Sequence, residues 1–485
     1  MNDTKTGTEL HLVSQETAAL NAETIFEELL TYSETTQATV DQTEGHIFQQ
    51  LLRLGRALLQ RSVTARSENE SLTPMESETG DEVLYHGQRR YRYLSIFGEI
   101  EVERAYYWKA GSGGKAPLDE QLSRPRRCYS SLLEQWALRL SVVEPFESSV
   151  DWLAEQLGVS VPKRMVEAMS VEASQDVRAF YEQTATVPVA PAGDCLVISL
   201  DGKGIPMTKA ELAPTPTRRK RGEKAQKKKM ATVATIYTVT EQDRFTAVVQ
   251  TGQLPDMAAQ EKQLFAELED KPSLTAYLKA RAAERGAGRV PTAFIADGQP
   301  VLWGLKAEIC PEAVEILDFH HAREYLWKAA YTFLPEGSEA ASTWVGEQEA
   351  RFLHGQVGLV MGGLRHRLTK GVIAGKTKQE TVRKVIAYFE TNRTRMRYDQ
   401  YLRAGFPIGS GAVESACKQL IVTRMEGAGM RWTVTGAQAM LDLRSVFLNG
   451  DWIRYWTFQR TQEHQRLYGA SAPSVEVPKS AKQAA

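Results

Sequence analysis

Two Asp-Gly pairs each follow an apolar run of strand length: Cys195 to Leu200 leads into Asp201-Gly202, and Thr292 to Ala296 into Asp297-Gly298. A strand end projects its side chain into a crevice where a ligand can sit. Asp-Gly is also a common turn pair, so either one alone reads as a turn. Two of them on successive core strands bring two carboxylates within bridging distance of one cation, and like charges that close call for such a cation. A third acid, Glu414, lies on a helix that begins after the break at Pro407-Ile408-Gly409-Ser410, with Ser410 as its expected cap. Val413, Ala416, Cys417, Leu420 and Ile421 make the apolar row of that helix, and Glu414 flanks the row. Taken alone, Glu414 reads as a surface ion pair with Lys418, four residues on.

Positive charge is concentrated rather than abundant. With 59 basic and 60 acidic residues the chain is near neutral, which as an average argues against a nucleic-acid partner. Between Arg218 and Lys229, however, stand eight Lys/Arg and one Glu, including Arg218, Arg219, Lys220, Arg221, Lys227, Lys228 and Lys229. Phosphate binding needs only such a local surface, and this run follows the strand that leads into Asp201. A solvated loop is the alternative. The four cysteines, Cys128, Cys195, Cys310 and Cys417, lie far apart and form no CxxC pair, which excludes a disulfide framework and a zinc knuckle. No stretch is apolar enough to span a bilayer, and the first residues lack a basic start followed by an apolar core, so a cytoplasmic protein is expected.

The elements that must position these groups follow from hydrophobic period. Residues 1–80 read as a helical arm and linker, with stripes at Ile25, Leu29 and Leu30 and from Ile47 to Leu59, and a polar linker from Thr64 to Asp81. Residues 81–190 read as a mixed α+β DNA-binding region. It holds a β-hairpin over 83–108 turned around Phe97-Gly98-Glu99, then a helix over 149–157, a Gly-Val-Ser turn and a second helix in a helix-turn-helix outline. Residues 191–334 alternate as β-β-β-α-β-α-β-α. The expected strands are 195–200, 231–239, 244–249, 292–296 and 314–317. The expected helices are 257–285, 301–308 and 322–333. Residues 335–405 read as a helical insertion, 406–450 as completion of the core with the Glu414 helix, and 451–485 as a final helix and polar tail. This α/β order is that of an RNase H-like catalytic core.

Several stretches carry a more specific likeness: Ser199-Leu-Asp-Gly-Lys-Gly-Ile-Pro-Met207, Ile295-Ala-Asp-Gly298, Ile316-Leu-Asp-Phe-His-His-Ala-Arg-Glu-Tyr-Leu-Trp-Lys328, Gly409-Ser-Gly-Ala-Val-Glu-Ser-Ala-Cys-Lys-Gln-Leu-Ile421 and Gly429-Met-Arg-Trp432. In these the chain resembles bacterial insertion-sequence DDE transposases, most closely the Kra-type family, over roughly residues 85–450. The resemblance implies Asp201, Asp297 and Glu414 as the catalytic and metal-binding triad. It also matches Asp318-Phe-His-His321 to the Asp-x-x-His element of Mutator-like relatives. The implied cofactor is a pair of Mg²⁺ ions, with Mn²⁺ as a substitute. The implied partners are the element's double-stranded ends and target DNA, acted on by a homodimer or higher assembly. Two metals roughly 4 Å apart activate the nucleophile and stabilise the leaving oxygen of an in-line displacement at phosphorus.

Supporting roles remain divided at this point. His321 is placed to contact the scissile phosphate or to orient Asp318, or to serve as a structural histidine. Arg323, Lys328, Lys418, Arg424 and Arg431 are candidates to line the DNA path. Trp432 suits either stacking on an unpaired base or the core, and Trp303 and Trp327 are assigned to the core. The competing functions are an RNase H-like nuclease that cuts without joining and a domesticated, non-catalytic DNA-binding protein. A two-carboxylate glycosidase would have no use for the basic run.

Overall fold

A computed structural model describes residues 22–70, 72, 75–76, 82–109, 113–184, 188–212, 227–246 and 257–469. The chain divides into two compact units, one of residues 1–137, 147–163 and 460–485, the other of residues 138–146 and 164–459. No helix among the described residues is long and apolar enough to cross a membrane.

The first unit opens with helices Ala22–Thr35 and Val40–Glu68, the second started by a reciprocal capping box between Thr39 and Gln42. That helix runs five residues, Thr64 to Glu68, into the stretch expected to be linker. A four-stranded antiparallel sheet follows: β1 (Met75–Glu76), β2 (Glu82–Ser95), β3 (Gly98–Lys109) and β4 (Gly113–Lys115). The expected hairpin is β2–β3, closed by a two-residue turn at Ile96-Phe97, one residue earlier than expected. Alternation along β3 buries Ile100 and Val102 against Val63 and Leu118. The helices of the helix-turn-helix outline form as Phe146–Leu157 and Lys163–Ser174, and apart from Phe146 the first belongs to one unit, apart from Lys163 the second to the other.

The second unit is mixed α/β around a five-stranded sheet of order β7-β6-β5-β8-β9. Its strands are β5 (Cys195–Pro206), β6 (Lys228–Val239), β7 (Gln260–Glu267), β8 (Thr292–Ala296) and β9 (Val314–Leu317). Strands β5, β8 and β9 are parallel, whereas β6 and β7 pair antiparallel. Leu196, Val197, Ile198 and Leu200 have no exposed surface. A run without polar alternation marks a strand covered on both faces, and β5 lies in the centre of the sheet.

Two expectations require correction. The third strand is β7, not 244–249. Glu241–Thr246 turns helical, and the guanidinium of Arg244 donates to the carbonyls of Gly193, Ala404 and Gly405, which ties that turn down; residues 247–249 lie outside the described set. The helix expected over 257–285 is Lys271–Glu284, because the helix-prone Gln260–Glu267 segment pairs with β6 at the sheet edge. Tertiary pairing overrides local propensity there. Strand β5 also continues past Asp201 to Pro206, held by β6 as far as the pair Pro206–Lys228.

The insertion is helical as expected, with helices Glu339–Leu353, Val357–Thr369, Lys376–Thr391 and Tyr398–Arg403. It leads into the acid-bearing helix Gly411–Cys417.

Candidate metal centre

Strand register places the acids. Leu200 pairs with Ala296, and Ala296 with Leu317, so the next residue on each parallel strand forms one row: Asp201, Asp297 and Asp318. Adjacent strands lie about 4.8 Å apart, which sets the spacing of such a row. The carboxylates are individually restrained. Asp201 Oδ1 accepts from Gly202 N at 2.7 Å and Oδ2 accepts from Cys417 Sγ at 3.5 Å. Asp297 accepts from the backbone and side-chain nitrogens of Gln299, at 2.9 and 2.7 Å.

Asp318 is fully buried and organises its neighbours. It caps helix Phe319–Ala330 by accepting from His320 N and His321 N, and it also accepts from Ser410 N at 2.8 Å and from His321 Nδ1 at 2.6 Å. One carboxylate thus fixes the start of the histidine helix and the start of the Glu414 helix. Burial alone would raise the Asp318 carboxyl, but the bonds and charge of His321, with the Ser410 N–H, hold it below the usual range. His321 is pushed up to about 9, first by its bond to Asp318, against burial, and then by the charges of Asp318, Asp201 and Asp297. Burial raises Asp201, and the adjacent Asp297 acts in the same direction.

Ligand atoms of Asp201, Asp297 and His321 lie within 4.8 Å of one another, as do those of Asp318, His321 and Glu414. Glu414 is therefore grouped with His321 and Asp318, and His321 belongs to both sets. Ser410 stands at the cap position of the Glu414 helix, but its hydroxyl donates to Glu414 Oε1 at 3.0 Å instead of capping. The expected apolar row is buried, with Val413, Ala416, Leu420 and Ile421 at zero exposure. A cleft of about 450 Å³ opens over the centre, lined by Asp201, His320, His321, Arg323, Glu324, Trp327 and Glu414.

Trp327 thus lines the cleft rather than the core, while Trp303 is buried as expected. His320, Arg323, Glu324 and Trp327 recur at helical spacing on one face, a signal present in the sequence. Arg323 is paired with Glu349 of the insertion at 2.6 Å, and Lys328 sits near Glu324 at 3.7 Å. Of the expected DNA contacts, Lys418 and Arg431 are exposed, whereas two others are committed to the fold. Arg424 is buried, donates to Ser141 O at 2.7 Å and lies against Phe146 and Trp432. Trp432 is buried with its indole N–H donating to Met425 O at 3.0 Å, which leaves it no free face for a base. In the basic run, Lys227 is exposed, Lys228 pairs with Glu426 and Lys229 with Glu269. Arg218, Arg219, Lys220 and Arg221 lie outside the described residues.

Two supports were not legible beforehand. Tyr388 of the insertion stacks on Tyr325, ring centroids 3.7 Å apart, and covers the turn after Asp297. A Cβ at Gly298 would lie 2.3 Å from Tyr388 Cε2 and 2.9 Å from Asn392 Nδ2. Gly298→Ala is expected to cost about 1–3 kcal/mol by overpacking, read as a lowered midpoint in thermal unfolding. The second support follows the Glu414 helix, where Lys418–Val422 adopts a π-turn. The buried Arg444 guanidinium donates to the carbonyls of Gln419, Leu420 and Val142 and to Thr423 Oγ1. A π-turn leaves carbonyls without their usual helical partners, and Arg444 supplies donors. Arg444→Met should cost about 2–4 kcal/mol in urea denaturation, and Arg444→Lys nearly as much, since one ammonium cannot span the fork.

Comparison with protein-family models finds no match, and a search of curated proteins finds no significant similarity.

Proposed function

We propose that the chain is a DDE transposase that cuts and joins DNA ends with divalent metal, on an RNase H-like core. The observation that carries this reading is the row of Asp201 and Asp297 on adjacent parallel strands, with His321 and Glu414 facing the same cleft. The sheet order β7-β6-β5-β8-β9, with β5, β6 and β7 antiparallel and β8 and β9 added in parallel, supports the RNase H-like assignment. So does the helical insertion ahead of the last acid.

The donor set fits a hard divalent cation such as Mg²⁺ or Mn²⁺. It is rich in carboxylate oxygen, and two of its aspartates are near enough to repel each other. Asp201 and Asp297 would hold one ion, and Glu414 would complete the second position. When bound, such ions stabilise charge on the attacking and leaving oxygens of a phosphodiester. The protein's own residues do the remaining work. Asp318 fixes the ring of His321 through Nδ1, an arrangement that leaves Nε2–H to donate to a phosphate oxygen. Ser410 orients Glu414, and Gln299 orients Asp297. Lys418, Arg431 and Lys227 offer exposed positive charge for the DNA backbone, and pairing of two ends calls for a homodimer or larger assembly.

The test is to incubate the full chain with a labelled duplex carrying the terminal repeat that flanks its own gene. Nicking in Mg²⁺, joined products of higher mass, and loss of both in EDTA are expected. Cleavage without any joined product would favour a nuclease. Binding without cleavage in either Mg²⁺ or Mn²⁺ would make the chain a non-catalytic DNA-binding protein.

A further inference from the structure

Away from the acid row, a second cavity of about 320 Å³ opens beside the edge strand β7. It is bounded by helices Val177–Thr184, Lys271–Glu284 and Val434–Leu448. Its apolar wall is aromatic. Phe265 stands edge-on to Tyr181 at 5.5 Å and to Tyr277 at 4.7 Å. Its polar wall is acidic, formed by Glu267 and Asp442 with the amide of Gln438.

The hydrogen bonds decide what this wall can accept. Gln438 is fully used: its Oε1 accepts from Leu268 N at 2.9 Å, and its Nε2 donates to Ala266 O at 3.2 Å and Asp442 Oδ1 at 2.9 Å. Glu267 is also occupied, accepting from Leu268 N and Asp270 N and pairing with Arg178 at 3.2 Å. Asp442 differs. Among the described residues its one hydrogen-bond donor is Gln438, so its second oxygen is left for an occupant. Burial pushes the Asp442 carboxyl up to about 8, as expected of an acid without a counter-ion in contact. Arg178 is the one basic residue of the lining, and it is already paired with Glu267 and Asp270.

We propose that this cavity binds a small organic cation, a guanidinium or primary ammonium on a short apolar stem, with Asp442 as its counter-ion and Tyr181, Phe265 and Tyr277 around the stem. An anion would meet the Glu267 carboxylate, the Asp442 carboxyl with no cation of its own, and a guanidinium already neutralised by acids. An uncharged apolar occupant would leave Asp442 desolvated and unpaired. A cation with a short stem satisfies both walls, since aromatic rings and a carboxylate together favour positive charge. The volume lies at the low end for small-molecule sites, which restricts the stem to a few carbons. This inference does not depend on the transposase reading.

The experiment is calorimetric titration of the full chain with n-butylguanidinium and with its neutral isostere n-butylurea. Saturable binding of the cation alone is expected, weakened at least about tenfold by Asp442→Asn, or roughly 1.4 kcal/mol. Asp201→Asn, which removes an acid from the metal cleft, should leave that binding unchanged. Three results would overturn the proposal: no saturation at millimolar cation, equal binding of the urea, or a loss caused by Asp201→Asn but not by Asp442→Asn. Should Asp442→Asn fail to fold, a crystal soaked with n-butylguanidinium decides, with density expected against Asp442 and an empty cavity counting against.

Discussion

Asp201→Asn is expected to retain the fold and DNA binding while losing phosphodiester cleavage by about 10³-fold. The amide has the shape of the carboxylate and keeps an oxygen to accept from Gly202 N. It removes the negative charge that a divalent cation requires. Charge stabilisation by such an ion is worth several kcal/mol in the transition state, and at about 1.4 kcal/mol per tenfold this yields the stated factor. Stability should move the other way. Burial and the nearby Asp297 raise the Asp201 carboxyl, so its charged form costs the folded chain more than the unfolded one. Neutralising it is expected to leave the thermal midpoint unchanged or slightly higher. A variant that loses cleavage and also melts earlier would mean that Asp201 serves the fold first, and the assignment of its role would fall. A trade of stability for function is what an acidic metal centre should display.

The acid row was legible because its signal is local. Asp201 and Asp297 each follow an apolar run, and burial on both faces leaves such runs few residue choices. Strands β8 and β9 begin and end where the apolar pattern does, and the Glu414 helix buries the row of residues its spacing marks. What was not legible depends on partners distant in sequence. Strand β7 has helix-prone composition, and only its pairing with β6 makes it a strand. Arg424 looks like a phosphate ligand by type, but Ser141 O, 283 positions earlier, takes its guanidinium. Trp327 is a core residue by type, although its helical spacing with His320 and Glu324 points to the cleft. The grouping of Glu414 with His321 and Asp318 could not be inferred from three acids in a list. It follows from Ser410 N bonding to Asp318, a contact across 92 positions.

That contact makes Asp318→Ala the most damaging single change to the fold of the centre. Four donors converge on this carboxylate: the N–H groups of His320, His321 and Ser410, and His321 Nδ1. Alanine leaves them without an acceptor in a fully buried position, and breaking a buried ion pair costs about 3–5 kcal/mol. The cost should depend on pH in a definite direction. Asp318 is held below its usual range, so its contribution is present above the unfolded carboxyl value of about 4 and fades only as pH falls through the depressed one. His321 is raised to about 9, so its contribution is complete below the unfolded value of about 6.5 and is lost as pH rises through 9. The difference between wild type and Asp318→Ala in urea denaturation is therefore expected to be largest between about pH 4 and 6.5, and to shrink towards pH 9. A difference that stayed flat across this range would mean that Asp318 acts as a helix cap alone. In that case His321 would carry no charge into the centre, and its place beside Asp201 and Asp297 would be that of a neutral ligand.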